Sequence, residues 1–178
     1  MEMNEKEIFY SFFEYDIGTL YLAATDKGLC FVGSLNEDIG ELELGVANLF
    51  SKKILIEDKA RLKLYHQQLA EYFNDSRTAF TFPIDVNGTP FQQKVWRALK
   101  DIPFGETKSY GEIAAEIEQP YSYRAVGTAI GKNPLLIVVP CHRVIHKNGK
   151  LDGYRGKLDM KEKLLKLEKK ISMAGPND

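Results

Sequence analysis

The chain is poor in the residues that build disulfide frameworks and metal centres. Its 178 residues include only two cysteines, Cys30 and Cys141, and three histidines. Two cysteines so far apart give neither a disulfide framework nor the ligand spacing of a structural zinc site. We therefore expect no metal and no cofactor, and we expect a reducing cytoplasm to keep Cys141 as a free thiol.

Long apolar runs are also lacking. No segment approaches the ~18 consecutive apolar residues of a membrane-spanning helix. The opening residues 1–7 are polar and acidic, unlike a secretory signal. The sequence thus predicts a cytoplasmic protein with no membrane partner, and its 44% hydrophobic content suffices for a core in one domain or in two small ones.

The net charge of -1 hides an uneven division between the two halves of the chain. Residues 1–90 carry 8 basic and 15 acidic residues, a net of -7, whereas residues 91–178 carry 16 and 10, a net of +6. This asymmetry suggests a polyanion-binding domain beside one that does not touch the polyanion. The alternative is that basic residues, especially those of 157–170, solvate helix faces.

Patterns in the first half predict a small α+β domain. Short apolar segments separated by turns indicate an antiparallel sheet, and helical spacing over Ala60–Phe73 predicts a helix that stops at Asn74-Asp75. A linker rich in Pro, Gly, Asn and Asp follows at 83–90. We expect one domain over residues 1–85 and a second over residues 86–178.

The second half begins with three predicted helices. Thr89-Pro90 starts the first, Ser109 and Glu112 have capping-box spacing for the second, and Tyr121–Gly131 forms the third. The last two have helix-turn-helix proportions. The third helix has small side chains, which suit either close approach to a nucleic acid or close helix packing.

The apolar run Leu135–Val139 leads into Pro140, Cys141 and His142. Such a run predicts a buried core strand, and Pro140 cannot donate to a ladder, so Cys141 would sit where the chain leaves the sheet. That position suits a reactive thiol. The alternative is a small apolar cysteine that fills a core.

A cysteine nucleophile needs a base or a positive field, because few thiols are ionised at neutral pH. His142 is the candidate base, acting through a water or around a bend. Glu168 is the candidate carboxylate that orients it, because helical spacing puts Glu168 on the same buried stripe as Lys161, Leu164, Leu165 and Ile171. Two alternatives remain: Glu168 pairs with a lysine at a frayed edge, or Asn133 completes a cysteine-hydrolase set, for which no peptide cleft is indicated.

Six motifs between Thr89 and Glu168 carry a resemblance to a known family. They are Phe91-Gln92-Gln93-Lys94-Val95-Trp96, Ile102-Pro103-Phe104-Gly105-Glu106-Thr107-Lys108-Ser109-Tyr110, Arg124-Ala125-Val126-Gly127, Asn133-Pro134, Ile137-Val138-Val139-Pro140-Cys141-His142-Arg143-Val144-Ile145 and Gly153-Tyr154-Arg155-Gly156. This part of the chain resembles the O6-alkylguanine-DNA alkyltransferases. The resemblance extends more loosely through Gly18–Gly33 and Leu69–Phe82.

The resemblance implies a fold and an activity. The fold would be α+β, with a small antiparallel sheet and a helix in a ribonuclease H-like N-terminal domain. The C-terminal domain would be mostly helical and of the winged helix-turn-helix type. The activity would be suicide transfer of an alkyl group from O6-alkylguanine in duplex DNA to Cys141, by a monomer that uses no cofactor.

The same resemblance implies a role for each matching residue of the reaction centre. Cys141 would accept the alkyl group, His142 would deprotonate it through water, and Glu168 would orient His142. Asn133 would brace this network. Tyr110 would crowd a phosphate, help to rotate the nucleotide out of the duplex and donate a proton to the leaving guanine.

The remaining implied roles concern DNA and the base pocket. Arg124 would fill the space that the rotated base leaves in the stack. The DNA-facing helix would further present Ala125, Gly127, Thr128, Ala129 and Lys132. The pocket would comprise Pro140, Val144, Tyr154, Arg155 and Lys161.

The chain departs from the family pattern in two ways. It lacks the Cys and His residues with which some members hold zinc in the N-terminal domain. It also has Gly156-Lys157 where many members have a second glycine. A competing hypothesis is a DNA-binding reader of alkylated bases that performs no chemistry, and the presence of Cys141 argues against it.

Overall fold

The structure is a computed structural model that describes residues 5–151 and 153–174, the last four of these by their backbone only. The chain divides into two compact units, and the boundary lies between Asn87 and Gly88. The first unit carries the acidic excess and the second the basic excess. Within the described ranges, no helix is long and apolar enough to cross a membrane.

The first unit is a four-stranded sheet with two helices. Its elements are β1 Lys6–Tyr15, β2 Gly18–Ala24, β3 Leu29–Val32, α1 Ile39–Leu49, β4 Lys53–Glu57 and α2 Lys63–Phe73. The strand order is β3-β2-β1-β4, with β1 antiparallel to β2 and parallel to β4. The predicted antiparallel sheet is therefore mixed, because the chain returns to β1 through the helix α1.

The core of this unit forms where α1 covers one face of the sheet. Leu42 and Val46 of α1 pack with Ile8, Cys30 and Phe31. The sequence analysis predicted neither α1 nor β4. Helix α2 begins three residues later than predicted, because residues 60–62 form a turn.

The second unit is mostly helical. Its elements are α3 Pro90–Lys100, β5 Lys108–Ser109, α4 Tyr110–Glu116, α5 Tyr123–Gly131, β6 Val144–Ile145 and α6 Lys157–Ala174. Strands β5 and β6 pair in parallel. A capping box begins α3 and another, the predicted Ser109–Glu112 pair, begins α4. Trp96 on α3 donates its indole N–H to the Ala129 carbonyl of α5 at 2.9 Å, which fixes α5 against α3.

The segment Leu135–Val139 is buried as predicted, but it is not a strand. Its backbone forms tight turns, in which the Val139 N–H donates to the Leu135 carbonyl at 3.0 Å and the Val138 N–H to the Leu136 carbonyl at 2.8 Å. Ile137 takes a left-handed conformation, with φ of 72°. The predicted strand was wrong because an apolar run specifies burial but not an extended backbone, and turns within the segment bind the backbone donors of Val138 and Val139.

Candidate active site

Cys141 begins a 3₁₀ turn that ends at Arg143. Its side chain is 2% exposed, and its backbone N–H donates to the Val139 carbonyl at 2.7 Å. In an extended chain, neighbouring side chains point to opposite sides. The turn removes that restriction for Cys141 and His142.

Asn133 connects the thiol to the buried turns before it. Its Nδ2 donates to Cys141 Sγ at 3.2 Å and to the Val139 carbonyl at 2.9 Å, while its Oδ1 accepts from the Leu135 N–H at 2.9 Å. Asn133 is completely buried. One amide therefore holds the turn and offers the sulfur a hydrogen bond.

His142 and Glu168 form a buried pair, with 2.7 Å between Nε2 and Oε1. Because Glu168 is a carboxylate and accepts only, His142 Nε2 carries the proton that it donates. The second ring nitrogen, Nδ1, is then the basic one. This atom is buried and has no hydrogen-bond partner among the described residues.

Arg143 is a residue of this site that the sequence analysis did not assign. Its Nε donates to Glu168 Oε2 at 2.9 Å and its Nη2 to Oε1 at 2.8 Å. Nη1 donates to the Ile102 carbonyl at 2.7 Å, just beyond α3. A signal was available, since a buried carboxylate needs a cation and Arg143 directly follows the proposed base.

Burial, hydrogen bonds and neighbouring charges together set the protonation of the three central groups. Burial raises the pKa of the Cys141 thiol, although the Asn133 hydrogen bond and the charges of Arg155 and Lys161 lower it in part. It lowers the pKa of His142 against the opposing effect of Glu168. Burial alone would raise the pKa of Glu168, but the hydrogen bonds and charges of His142 and Arg143 hold it at about 2. At neutral pH the site holds a thiol, a neutral imidazole and a carboxylate.

Two cations anchor backbone carbonyls around the thiol. Buried Lys161 donates through Nζ to the Val144 carbonyl at 2.6 Å. Arg155 donates through Nε to the Asn133 carbonyl at 3.0 Å and through Nη2 to the Pro134 carbonyl at 3.3 Å.

Tyr110 and Tyr154 lie where glycines leave them room. A Cβ built on Gly153 would lie 3.4 Å from the Tyr110 hydroxyl, and one on Gly127 would lie 3.8 Å from its ring. A Cβ on Gly156 would come within 2.5 Å of the Tyr154 ring, so a glycine is required there. Pro140 and Tyr154 are buried.

The outer face of α5 and the residue that follows it present four of the residues that the sequence analysis assigned to DNA. Arg124, Ala125, Thr128 and Lys132 are exposed, and Gly127 is partly exposed. Ala129 is only 2% exposed and lies on the inner face with Val126 and Ile130. Its assignment to the DNA face was wrong, because the helical period turns residue 129 past the edge of the exposed stripe.

The burial of side chains along α6 follows the stripe that the sequence analysis predicted. Lys161, Leu164 and Glu168 are buried and Leu165 is partly buried. The side chain of Ile171, the last predicted member, lies outside the described residues. No group of three His, Cys, Asp or Glu side chains within the described part of the chain is arranged to hold a metal ion.

Comparisons with known proteins cover both units. Residues 90–170 match the family model described as 6-O-methylguanine DNA methyltransferase, DNA binding domain, and residues 8–86 match its ribonuclease-like domain. An inducible methylated-DNA–protein-cysteine methyltransferase of Bacillus subtilis (strain 168) is 48% identical over 172 residues, which are 97% of this chain and 96% of that protein.

Solved structures give the same result. The crystal structure of the Mycobacterium tuberculosis O6-methylguanine methyltransferase superimposes with a TM-score of 0.80 at 39% identity, and covers 96% of each chain. The structure of Mycobacterium tuberculosis OGT in complex with DNA has a TM-score of 0.79 at 41% identity over 92% of this chain and 94% of that one. The chain therefore belongs to the O6-alkylguanine-DNA alkyltransferases, the family of methylated-DNA–protein-cysteine methyltransferases.

Proposed function

We propose that this protein repairs double-stranded DNA by transferring the alkyl group of O6-alkylguanine to Cys141 Sγ, irreversibly and once per molecule. The observation that carries the proposal is the buried set of hydrogen bonds around one thiol. Asn133 donates to the sulfur, and the adjacent His142 is fixed by Glu168 with Nδ1 left as a base.

The transfer balances as a displacement at the alkyl carbon. A water between Cys141 and His142 carries the thiol proton to Nδ1, and the thiolate attacks the alkyl carbon. The bond from that carbon to O6 breaks, its electron pair goes to guanine, and guanine takes up a proton. The product is a thioether, which is a poor leaving group, so the protein is spent.

The neighbouring groups stabilise the charges that appear during this step. The Asn133 amide and the charges of Lys161 and Arg155 favour the thiolate, since each lowers the pKa of the thiol. Glu168 stabilises the imidazolium that forms when Nδ1 is protonated. Arg143 keeps Glu168 ionised and in position.

A thiol that is 2% exposed cannot reach an alkyl group inside a duplex. The nucleotide must rotate out of the stack into the pocket. We assign Tyr110 to crowding the phosphate and to donating a proton to the departing guanine. Exposed Arg124 fills the vacated space, as side chains do in other kinked or opened duplexes.

The base pocket and the DNA face follow from the same arrangement. The carbonyls of Cys141 and Val144 accept from the guanine amino group, with Lys161 holding the Val144 carbonyl. Tyr154 and the Arg155 backbone close over the base. Ala125 and Thr128 of α5, and Lys132 directly after it, contact the minor groove, and Gly127 permits close approach. Pro140 lines the base pocket.

We further propose that the protein acts as a cytoplasmic monomer. Its reaction consumes a free thiol, and a reducing compartment maintains one. The displacement itself needs one active site and one lesion.

The test of the proposal compares Cys141→Ser with Cys30→Ser on a duplex that contains O6-methylguanine. We expect wild type and Cys30→Ser to remove at most one lesion per protein molecule, as measured by nucleoside mass analysis. Cys141→Ser should bind the duplex and remove none. Lesion removal by Cys141→Ser, or many turnovers by wild type, would refute the proposal; binding without removal by every variant would indicate a non-catalytic reader.

The finger role of Arg124 has its own test. Arg124→Ala should slow reaction with the lesion in duplex DNA much more than reaction with free O6-methylguanine base, because only the duplex has a stack to fill. Lys166→Ala, an exposed change on α6, serves as the matched loss of one positive charge. Equal losses on duplex and free base would contradict the assignment.

A further inference from the structure

Two tyrosines beside Arg124 are exposed to solvent. Tyr121 is 95% exposed and Tyr123 is 51% exposed, and no other large hydrophobic residue in the described ranges is as exposed as Tyr121. Aromatic residues elsewhere, such as Phe13, Tyr15 and Phe73, stack within clusters. Exposed large apolar groups concentrated in one place mark interaction sites.

The position of these tyrosines connects them with the DNA face. Tyr123 is the first residue of α5, and Tyr121 precedes it in the turn that follows α4. The guanidinium carbon of Arg124 lies 5.9 Å from the centre of the Tyr123 ring, within the range of a cation–π contact. The aromatic pair therefore adjoins the side chain that we assign to the opened base stack.

The chemistry of the pair favours one kind of partner. An intact duplex offers only base edges and sugars in its grooves, whereas an opened site exposes the flat faces of nucleobases. Tyrosine rings stack on such faces whatever the base, and arginine adds a cation to the same surface. The basic unit that carries the pair has a net charge of +6, which suits a polyanion.

We propose that Tyr121 and Tyr123 form, with Arg124, a stacking surface for the unpaired nucleotides at the opened lesion site. Tyr123 also positions Arg124 through the cation–π contact. This inference rests on the proposed function, because it requires a nucleotide that has left the stack.

The test measures duplex affinity with the reactive thiol removed, in a Cys141→Ser background, by fluorescence anisotropy. The probes are one duplex with O6-methylguanine and the same duplex undamaged. We expect Tyr121→Ala/Tyr123→Ala to weaken binding of the lesion duplex about tenfold or more, the range of base–aromatic stacking, and to weaken binding of the undamaged duplex much less. Tyr121→Phe/Tyr123→Phe should bind like the parent, because it keeps both rings.

Leu44→Ala is the matched control, since Leu44 is an exposed apolar residue of the first unit. It should leave both affinities unchanged. Equal affinity of the alanine variant and its parent, equal losses on the two duplexes, or a phenylalanine variant as weak as the alanine variant would each overturn the stacking surface.

A separate measurement distinguishes this inference from the proposed function. With Cys141 intact, the alanine variant should react with free O6-methylguanine base at the wild-type rate. If wild type reacts with neither duplex nor free base, the proposed function fails. If wild type reacts and the tyrosines do not affect lesion binding, only the stacking surface fails.

Discussion

The two units each bury one cysteine, and the surroundings of the two thiols differ. Cys30 lies in the apolar core between the sheet and α1, where its S–H donates to the Ala23 carbonyl at 3.4 Å. Burial raises its pKa to about 12. Cys141 is similarly buried, but its sulfur accepts from the Asn133 amide. The next residue is His142, whose Nδ1 has no hydrogen-bond partner in the part of the chain that the structure describes.

This difference teaches that burial alone makes a thiol inert. Desolvation raises the pKa of both cysteines. At Cys141 an amide donor and two cations oppose this effect, and we propose that His142 removes the thiol proton when the substrate binds. A buried thiol therefore becomes reactive only where neighbouring groups stabilise its charge.

The two units also differ in which residues take a left-handed backbone conformation. Among the described residues of the first unit, the non-glycine residues with left-handed φ are Asn36 and Asp75, which tolerate that conformation. In the second unit they are Glu118, Ile137 and Lys157, which do not favour it. Of these three, Ile137 lies in the turns directly before Cys141, so one strained residue adjoins the reactive site, as in many active sites.

The largest expected effect comes from the base. His142→Gln keeps a donor toward Glu168 but removes the basic nitrogen, so we expect the rate of methyl transfer from duplex to fall by about 10²- to 10⁴-fold. Assays in which the reaction is quenched at set times would measure this rate. His66→Gln changes a histidine of the first unit, which bonds to Ser11 at 2.5 Å, and should leave the rate unchanged. A loss below about tenfold for His142→Gln would remove it from the mechanism.

The next effect concerns the cation that holds Glu168. Arg143→Gln removes the positive charge that pairs with the buried Glu168 carboxylate. We therefore expect the free energy of unfolding at pH 7 to fall by about 3 to 5 kcal/mol. Urea unfolding measures it. Arg77→Gln breaks a more exposed ion pair with Glu71 and should cost under about 1 kcal/mol. Similar losses for the two variants would contradict the buried role.

The pH dependence of stability follows from the same carboxylate. The pKa of Glu168 is depressed to about 2 in the folded protein, so the ionised carboxylate contributes fully to folding stability above the ordinary pKa of 4.5. This contribution is lost as the pH falls toward 2. Wild type should lose stability across that window. Arg143→Gln should lose less there, because its Glu168 pKa lies nearer the ordinary value; equal slopes for both proteins would count against this account.

A smaller effect is expected at the inert thiol. Cys30→Ala removes one buried sulfur from the first unit and should lower the free energy of unfolding by about 1 kcal/mol. The rate of methyl transfer should not change. The comparison between the two cysteines would break down if this variant transferred methyl groups more slowly while remaining folded.

The smallest expected effect is a gain in stability. Lys157 has φ of 70°, and a glycine adopts that conformation without strain, so Lys157→Gly should stabilise the protein by about 1 kcal/mol. Lys166→Gly, within α6 and exposed, should destabilise it by about the same amount. Thermal unfolding of both variants measures the two signs, and a loss of stability in Lys157→Gly would mean that the left-handed conformation carries no strain.

Sequence patterns predicted the parts that depend on local chemistry. The capping box at Ser109, the burial of Glu168 on α6 and the α+β class all follow from spacing and composition. The parallel pairing of β4 did not follow, because it depends on a partner distant in sequence. The turns of Leu135–Val139 did not follow either, because an apolar pattern does not specify the hydrogen bonds within them. Arg143 was missed because the sequence analysis gave the buried Glu168 one partner, His142, whereas a buried carboxylate accepts from several donors.

The most direct test of the central claim is to locate the methyl group in the protein after reaction. The protein is incubated with an excess of duplex containing one O6-methylguanine, and its intact mass and its peptides are then analysed. We expect a gain of one methyl group, located on Cys141, with Cys30 unmodified and no second gain. A methyl group on Cys30 or elsewhere, or an unchanged mass although the lesion duplex is bound, would contradict the account.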